Sequence, residues 1–379
     1  MTDVVVVGAG IVGLAAAYEV SRLGYGVTVV DAGHQGRATD AGAGIVNPLD
    51  LVGEQSAAER ERVALSGATY YRELLARLAD DGETDHGYAT VGQLVVATDD
   101  AEDGVLEALL ARLSGSLPAS LADYLGPVRR LTVGEAAGMV PYLSDGIRGA
   151  LLLPGIARVD GQKLAVCLAS ALRKRGADVR HGVGELVTVA GEVVAVEVDG
   201  ERIDTGRVID ASGAWAAARW PRLLGDGVTP VRGQIVHLSY PREGIATTPV
   251  VSNVGGPYIL AFDPDRIVTG ATHERVGFDY RVTAGGQADV LTTALRVAPG
   301  LADATMLETR VGFRPVSRDA LPIVGAVPGL AGAVLATGLG AHGLTLGPAV
   351  GAIAARIAVG QDPGHDLTAL RPDRFASPN

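Results

Sequence analysis

The chain has 379 residues, enough for one large or two medium domains, and is 47% hydrophobic and 20% charged, so a sizeable core is expected and disorder is not. Its 32 basic and 43 acidic residues leave a net charge of −11, which argues against a nucleic-acid surface and gives no reason to expect an anionic membrane partner. Cys167 is the sole cysteine, which excludes an intrachain disulfide and a cysteine-rich metal site. No metal is expected, and Cys167, inside an apolar run, reads as a buried core thiol in a reducing compartment.

The chain opens on Val4 to Val7, four β-branched residues that read as a buried parallel strand. Gly8, Gly10 and Gly13 follow in the spacing G-x-G-x-x-G, and an apolar-periodic segment runs from Leu14 to Leu23. Val27 to Val30 reads as the next parallel strand, and the acid Asp31 ends it. Strand, turn, helix, strand and acid together form the dinucleotide fingerprint in its required context. Gly8 permits the tight turn, Gly10 the approach of backbone N–H groups to a pyrophosphate, and Gly13 the close packing of helix on strand. The helix N-terminus meets the anion with unpaired N–H groups and a positive dipole end. Asp31 can accept hydrogen bonds from a ribose diol. The motif alone leaves FAD and NAD both open. The apolar stretch lacks a basic leader and carries Asp3, so it is not read as a signal peptide, and no run is long enough to span a bilayer. A cytoplasmic location is the expectation.

A loop rich in Gly and Ala runs from Gly33 to Asn47, and its small residues suit close approach to a ligand. Ser56 to Ala79 carries the apolar stripe of a long amphipathic helix. Gly87 to Thr98 alternates as a strand, Ala101 to Leu113 reads as a helix, and Thr132 with Glu135 forms a capping box. A strand at Gly149 to Leu153 precedes a helix that Asp160 caps and that ends near Arg175. Strands are expected near Val179, at Glu185 to Val189, Glu192 to Val198 and Arg207 to Asp210, with Ala190-Gly191 as a hairpin turn. Val231 to Ser239, Tyr258 to Phe262 and Ile267 to Ala271 read as antiparallel strands, with a turn at Asp263-Pro264-Asp265. A helix from Gly285 to Val297 follows, then strands at Thr309 to Phe313 and Ala333 to Thr337. A Gly-rich loop, Gly338 to Gly343, leads to a final helix from about Pro348 to Val359.

Nucleotide-type segments thus fall at both ends and in the middle of the chain, with antiparallel segments between them. The expected fold is α/β, a Rossmann-like dinucleotide domain interleaved with an antiparallel-sheet α+β substrate domain. The expected division assigns 1–85, 150–228 and 306–379 to the first and 86–149 and 229–305 to the second.

Four stretches resemble the FAD-dependent oxidoreductases of the D-amino-acid oxidase superfamily, in the branch of glycine oxidase, D-amino-acid dehydrogenase and sarcosine oxidase. They are Val7 to Gly13 with Asp31, Val208 to Trp215, Gly312 to Gly325, and Ala336 to Pro348. The resemblance covers nearly the whole chain and implies FAD as cofactor. It places Ile11 and Val12 under the pyrophosphate and Asp31 and Ala32 at the adenosine ribose. Ala38, Thr39, Ala43, Gly44 and Ile45 would line the flavin, and Val183 and Gly184 would meet the adenine. Ser212, Gly213 and Trp215 belong to the second flavin-contacting stretch. Gly338, Leu339, Gly340, Ala341, His342, Gly343, Leu344 and Thr345 would lie along the isoalloxazine, at a helix N-terminus whose dipole stabilises reduced flavin.

Arg314 matches the arginine that clamps the substrate carboxylate in the amino-acid-oxidising members, a role suited to a guanidinium fork. Tyr258 would add a phenol hydrogen bond, and His342 would bond flavin or substrate. Where many members carry a proline–arginine pair after the tyrosine strand, this chain has Phe262-Asp263, and Arg310 is the candidate to compensate. The late cysteine used for covalent flavin attachment is missing, so FAD is expected to be non-covalent. The implied reaction is oxidation of a D-amino acid or a glycine-like substrate, with hydride passing from Cα–H to flavin N5 and the imine hydrolysing to a keto acid and ammonia. N-methyl or cyclic imino-acid oxidation is the second reading, and a non-enzymatic FAD-binding protein and an NAD-dependent dehydrogenase are the rivals. The expected partners are a small amino-acid or amine substrate and oxygen or another electron acceptor. A homo-oligomer is compatible with the sequence, whereas nucleic-acid and integral membrane partners are not expected.

Overall fold

The structure is a computed structural model and describes residues 2–49, 57–115 and 117–375. The four valines Val4–Val7 form a strand buried on both faces, at the middle of a six-stranded sheet. In spatial order the strands are Ile323–Ala326, Ala333–Thr337, Val208–Asp210, Val4–Val7, Val27–Asp31 and Asp178–His181. All neighbours are parallel except the first pair. Alternation decides what each valine touches. Val4 and Val6 pack with the helices Ile11–Arg22, Gly161–Lys174 and Gly343–Ala358. Val5 and Val7 pack with Val193, Val196 and Val198 of a small antiparallel sheet on the opposite face.

That small sheet has three strands, Gly184–Val189, Glu192–Val198 and Glu201–Asp204. Ala190 and Gly191 turn the first hairpin, with φ of 51° and 80°. Asp199 and Gly200 turn the second in the same manner, with φ of 50° and 85°, and produce a strand that the sequence pattern had not suggested.

The second large sheet has eight strands, in the order Thr305–Ser317, Val228–Ser239, Arg266–Gly270, Tyr258–Phe262, Val250–Asn253, Gln93–Ala97, Gly149–Leu153 and Arg129–Leu131. It is antiparallel apart from the pair Val250–Asn253 and Gln93–Ala97. The helix Ala284–Val297 covers its core face through Val290, Ala294 and Val297. The α/β class and the two interleaved units are therefore as expected.

Two of the expected domain boundaries move. Gly149–Leu153 and Thr305–Ser317 hydrogen-bond into the eight-stranded sheet, so the segments given to the dinucleotide unit from 150 and from 306 begin one strand too early. The strand expected at Thr309 to Phe313 is longer at both ends because it pairs along the whole of Val228–Ser239. The long N-terminal helix spans Ala57–Asp80, and the expected start at Ser56 lies outside the described residues. The last helix begins at Gly343, five residues before Pro348, which lies inside it.

Candidate active site

At the carboxyl ends of the parallel strands a cleft opens between the two sheets. It encloses about 1840 Å³ of non-protein space, its open mouth included. Strand ends at a topological switch point are where open α/β sheets bind ligands.

The fingerprint builds one end of the cleft. Gly8, Gly10, Ile11 and Val12 line it. The helix Ile11–Arg22 has Gly10 as N-cap, with no capping side chain from that residue and no acid in its first turn. Its dipole end therefore faces the cleft with no acid of its own first turn, which fits an anionic pyrophosphate. Gly13 stands behind the wall: a Cβ there would lie 1.8 Å from the Gly8 carbonyl oxygen, so this glycine allows helix and turn to touch. Asp31, with Ala32 beside it on the wall, accepts the N–H groups of Ala9 at 2.6 Å and Gly33 at 2.8 Å. The carboxylate is thereby held at the strand end, facing the cleft. Val183 and Gly184 complete this end.

The loop after Asp31 forms the next wall through Ala38, Thr39, Ala43, Gly44 and Ile45. Thr39 is buried, and its hydroxyl accepts the N–H of Ile11 at 2.9 Å, so the loop is pinned to the fingerprint helix. Opposite stand Ser212, Gly213 and Trp215. The Ser212 hydroxyl and backbone N–H both donate to the fully buried Asp210, at 2.5 and 3.0 Å, which fixes the turn at this wall. Asp210 also accepts from Arg219 Nε at 2.7 Å and Trp220 Nε1 at 2.9 Å. Arg219 in turn donates to the Gly184 carbonyl at 2.8 Å and ties the two ends of this wall together.

The C-terminal helix supplies a second uncapped N-terminus. It starts at Gly343 with no side-chain cap and no acid in its first turn. Leu339, Gly340, Ala341, Gly343 and Leu344 line the cleft. Gly338 turns the chain behind them with φ of 78°. Thr345 is buried, and its hydroxyl donates to the Ile45 carbonyl at 3.2 Å and accepts the N–H of Asn47 at 3.3 Å. It holds the flavin-loop segment to the helix. His342 departs from expectation: it is exposed on the turn Gly340–His342 and is not part of the cleft wall.

Arg314 and Tyr258 meet in the cleft on one face of the eight-stranded sheet. Arg314 is half-buried, opposite Val231 in the strand register. Its guanidinium lies over Gly233, where a Cβ would come within 2.5 Å of Nη2 and 2.6 Å of Nη1. Arg314 Nη1 donates to the Thr272 carbonyl at 3.0 Å. No ion pair of Arg314 occurs among the described residues. Burial raises the Tyr258 phenol above its ordinary pKa, and the Arg314 charge opposes that rise. The phenol is therefore protonated at neutral pH and acts as a hydrogen-bond donor. Arg310 does not compensate for the missing cation after the tyrosine strand. It pairs with Glu308 at 2.6 Å and donates to the Asp40 carbonyl at 3.3 Å.

Several wall residues carry no motif. Arg37 pairs with Asp40 at 2.8 Å and reaches Asp31 at 3.4 Å. His34 stacks on Trp215 with ring centroids 4.6 Å apart, and Phe278 stacks on Trp215 at 5.0 Å. Gly233 and Gly312 face one another across two strands on the cleft wall. Glycine inside a strand was the available signal for these last two, since it marks a close approach. Cys167 is buried in the core beneath the parallel sheet, away from the cleft. Among the described residues no cluster of metal ligands is present and no helix is long and apolar enough to cross a membrane.

A family model described as FAD dependent oxidoreductase, DAO, matches residues 3–357. The oxidoreductase YurR of Bacillus subtilis strain 168 is 40% identical over 375 residues, covering 98% of this chain and 99% of its own. Glycine oxidase of Geobacillus kaustophilus strain HTA426 is 30% identical over 384 residues, covering 96% and 95%. The crystal structure of iminodiacetate oxidase from Chelativorans sp. BNC1 superposes with a TM-score of 0.89 at 41% identity, covering 97% of this chain and 98% of that one. A cleft lined by a dinucleotide fingerprint and by a second helix N-terminus, and a family match over residues 3–357, have one reading: the chain belongs to the DAO family and is an FAD-dependent oxidoreductase.

Proposed function

We propose that the enzyme oxidises an amine that carries a carboxylate, at the carbon–nitrogen bond, with an α-amino acid or an N-substituted glycine as substrate. One observation carries this reading. Arg314 presents a guanidinium in the cleft with no carboxylate partner among the described residues, beside a protonated phenol. A half-buried cation of that kind takes an anion from the ligand. Its planar fork suits a carboxylate.

FAD, when bound, supplies the two-electron acceptor for the hydride that leaves the substrate carbon. Gly8 to Val12, Asp31, the loop 38–45 and residues 339–344 would hold it. Arg314 fixes the carboxylate, and Tyr258 donates a second hydrogen bond to the same end of the substrate. Tyr258 is too weak an acid to serve as a base at neutral pH, so the amine enters as its free base and positioning provides the rate effect. Ala43, Gly44, Gly233 and Gly312 keep the wall thin, which lets a small substrate lie close. The imine hydrolyses in water to a carbonyl compound and ammonia or an amine.

Two substrate classes are supported by relatives. The glycine oxidase relative favours primary amino acids. The higher identity to iminodiacetate oxidase favours a secondary amine. Anaerobic bleaching of the flavin by glycine, D-amino acids, sarcosine, proline isomers and iminodiacetate separates them. Arg314→Ala is expected to raise the apparent dissociation constant of the active amine roughly 10- to 150-fold, the equivalent of about 1.5–3 kcal/mol for a charged hydrogen bond. An unchanged constant, or a flavin that no carboxylate-bearing amine reduces, overturns the proposal.

A further inference from the structure

Beyond Gly270 the chain continues beside Val228–Ser239 and is joined to it by an isolated antiparallel bridge between Arg232 and Glu274. Thr272 N–H donates to Gln234 O at 3.2 Å, Arg232 N–H to Glu274 O at 2.8 Å and Glu274 N–H to Arg232 O at 3.0 Å. This register sets His273 opposite Gly233 and Arg275 opposite Val231. Cross-strand partners share a face of the sheet. Val231 pairs with Arg314 and Gly233 with Gly312 on the other side. His273 and Arg275 therefore stand on the same face as Arg314, whose guanidinium lies across Gly233.

The alternating residues take the acids away. Glu274 is directed to the opposite face, where Arg232 Nη2 holds it at 2.5 Å and Gln234 and Thr272 donate to it at 2.8 and 2.7 Å. Asp279 joins it there, 3.0 Å from Arg232. On the cleft face Arg275 has only a hydroxyl contact, from its Nη1 to Thr229 Oγ1 at 3.3 Å, and neither it nor Arg314 is in an ion pair among the described residues. His273 and Arg275 are both exposed. Partial burial, with the charges of Arg314 and Arg275, lowers the His273 pKa below its ordinary value. This face thus carries two unneutralised charges, Arg314 on the cleft wall and Arg275 exposed beyond it, with His273 as a neutral hydrogen-bonding group beside them.

We propose that His273 and Arg275 form a second anion subsite next to Arg314, at the outer edge of the cleft, which receives a distal carboxylate on the substrate. This rests on Arg314 as the anchor of the first carboxylate. The substrate class it selects is a dicarboxylic amine, with one acid at each end and the reacting C–N bond between. A monocarboxylic amine fills only the inner position.

The FAD-loaded enzyme provides the test. Anaerobic flavin reduction is measured with sarcosine and with iminodiacetate for the wild type, His273→Ala, Arg275→Ala and the double variant. The wild type is expected to prefer iminodiacetate in kcat/KM, and the double variant to lower the iminodiacetate-to-sarcosine ratio about 10-fold or more. Titration of the oxidised flavin spectrum with malonate and with acetate gives a readout without turnover, and the malonate-to-acetate affinity ratio is expected to fall in parallel. If sarcosine or glycine reduces the flavin but neither ratio changes in the variants, the subsite is wrong and the Arg314 reading stands. If no carboxylate-bearing amine reduces the flavin, the underlying reading fails and the subsite with it.

Discussion

Arg314 owes its place to a residue with no side chain. With Gly233 beneath it, the guanidinium can lie flat against the sheet and still donate to Thr272 O at 3.0 Å. A methyl group at Gly233 would displace it. Gly233→Ala is expected to raise KM for the carboxylate-bearing substrate about 10-fold with a smaller change in kcat, in a protein that keeps its melting temperature within a few degrees. Steady-state kinetics beside a thermal melt checks this. A second residue, His237, is buried with Nε2 unpartnered, and burial foremost, then Arg310 and Arg266, lowers its pKa to about 4. The folded state therefore prefers neutral imidazole. That contribution is complete above pH about 6.5 and is lost as the pH falls toward about 4, by up to roughly 3 kcal/mol. A plot of melting temperature against pH should decline over this window, and His237→Leu should flatten it. The place of Arg314 on the cleft wall was legible because the stretch Gly312 to Gly325 around it is specific, whereas Tyr258 came only from the resemblance of its strand. Gly233 was not, because a glycine inside a strand acquires meaning only once its register against Arg314 is known. His342 belongs to the right loop, but it is exposed on the turn Gly340–His342 and is not among the residues that line the cleft.

At the scale of elements, the C-terminal helix shows how a tertiary contact overrides a local rule. Pro348 has no N–H, so the Leu344 carbonyl one turn earlier lacks its helical donor. That made Pro348 look like a helix start. The hydroxyl of Tyr71, from the helix Ala57–Asp80, fills the gap at 2.5 Å from Leu344 O. The helix can thereby begin at Gly343 and bring its N-terminus to the cleft wall. Tyr71→Phe leaves a buried carbonyl unpaired and is expected to destabilise the protein by about 1–3 kcal/mol, read in a denaturant titration, and to weaken FAD retention. An unchanged midpoint would mean that the Tyr71 bond carries no weight. The third strand of the small sheet was within reach of the sequence, since Asp199-Gly200 is the dipeptide of a two-residue hairpin.

At the scale of the molecule, the two sheets share a cleft that both of them line, the parallel sheet through Val7 and Asp31 and the other through Tyr258 and Arg314. A ligand there binds the folded chain alone. At FAD concentrations 100-fold above its dissociation constant it should add about 2.7 kcal/mol, so apoprotein should melt roughly 3 °C lower than the FAD-saturated enzyme. Calorimetry with and without FAD decides the point. The interleaving was legible as alternating segment types, yet two domain boundaries were not, because only strand pairing assigns Gly149–Leu153 and Thr305–Ser317 to one sheet or the other.

The bonds from Thr345 to Ile45 and Asn47, and from Tyr71 to Leu344, join residues about three hundred positions apart. For a chain emerging from the ribosome this sets an order of events. The fingerprint turn and its loop appear first and are tied to each other through Thr39, but their bonds to the last helix form only when nearly all of the polypeptide has been made. Cofactor capture thus belongs to the last stage of maturation, and a release before residue 343 yields a product with the glycine turn intact and no means of closing it.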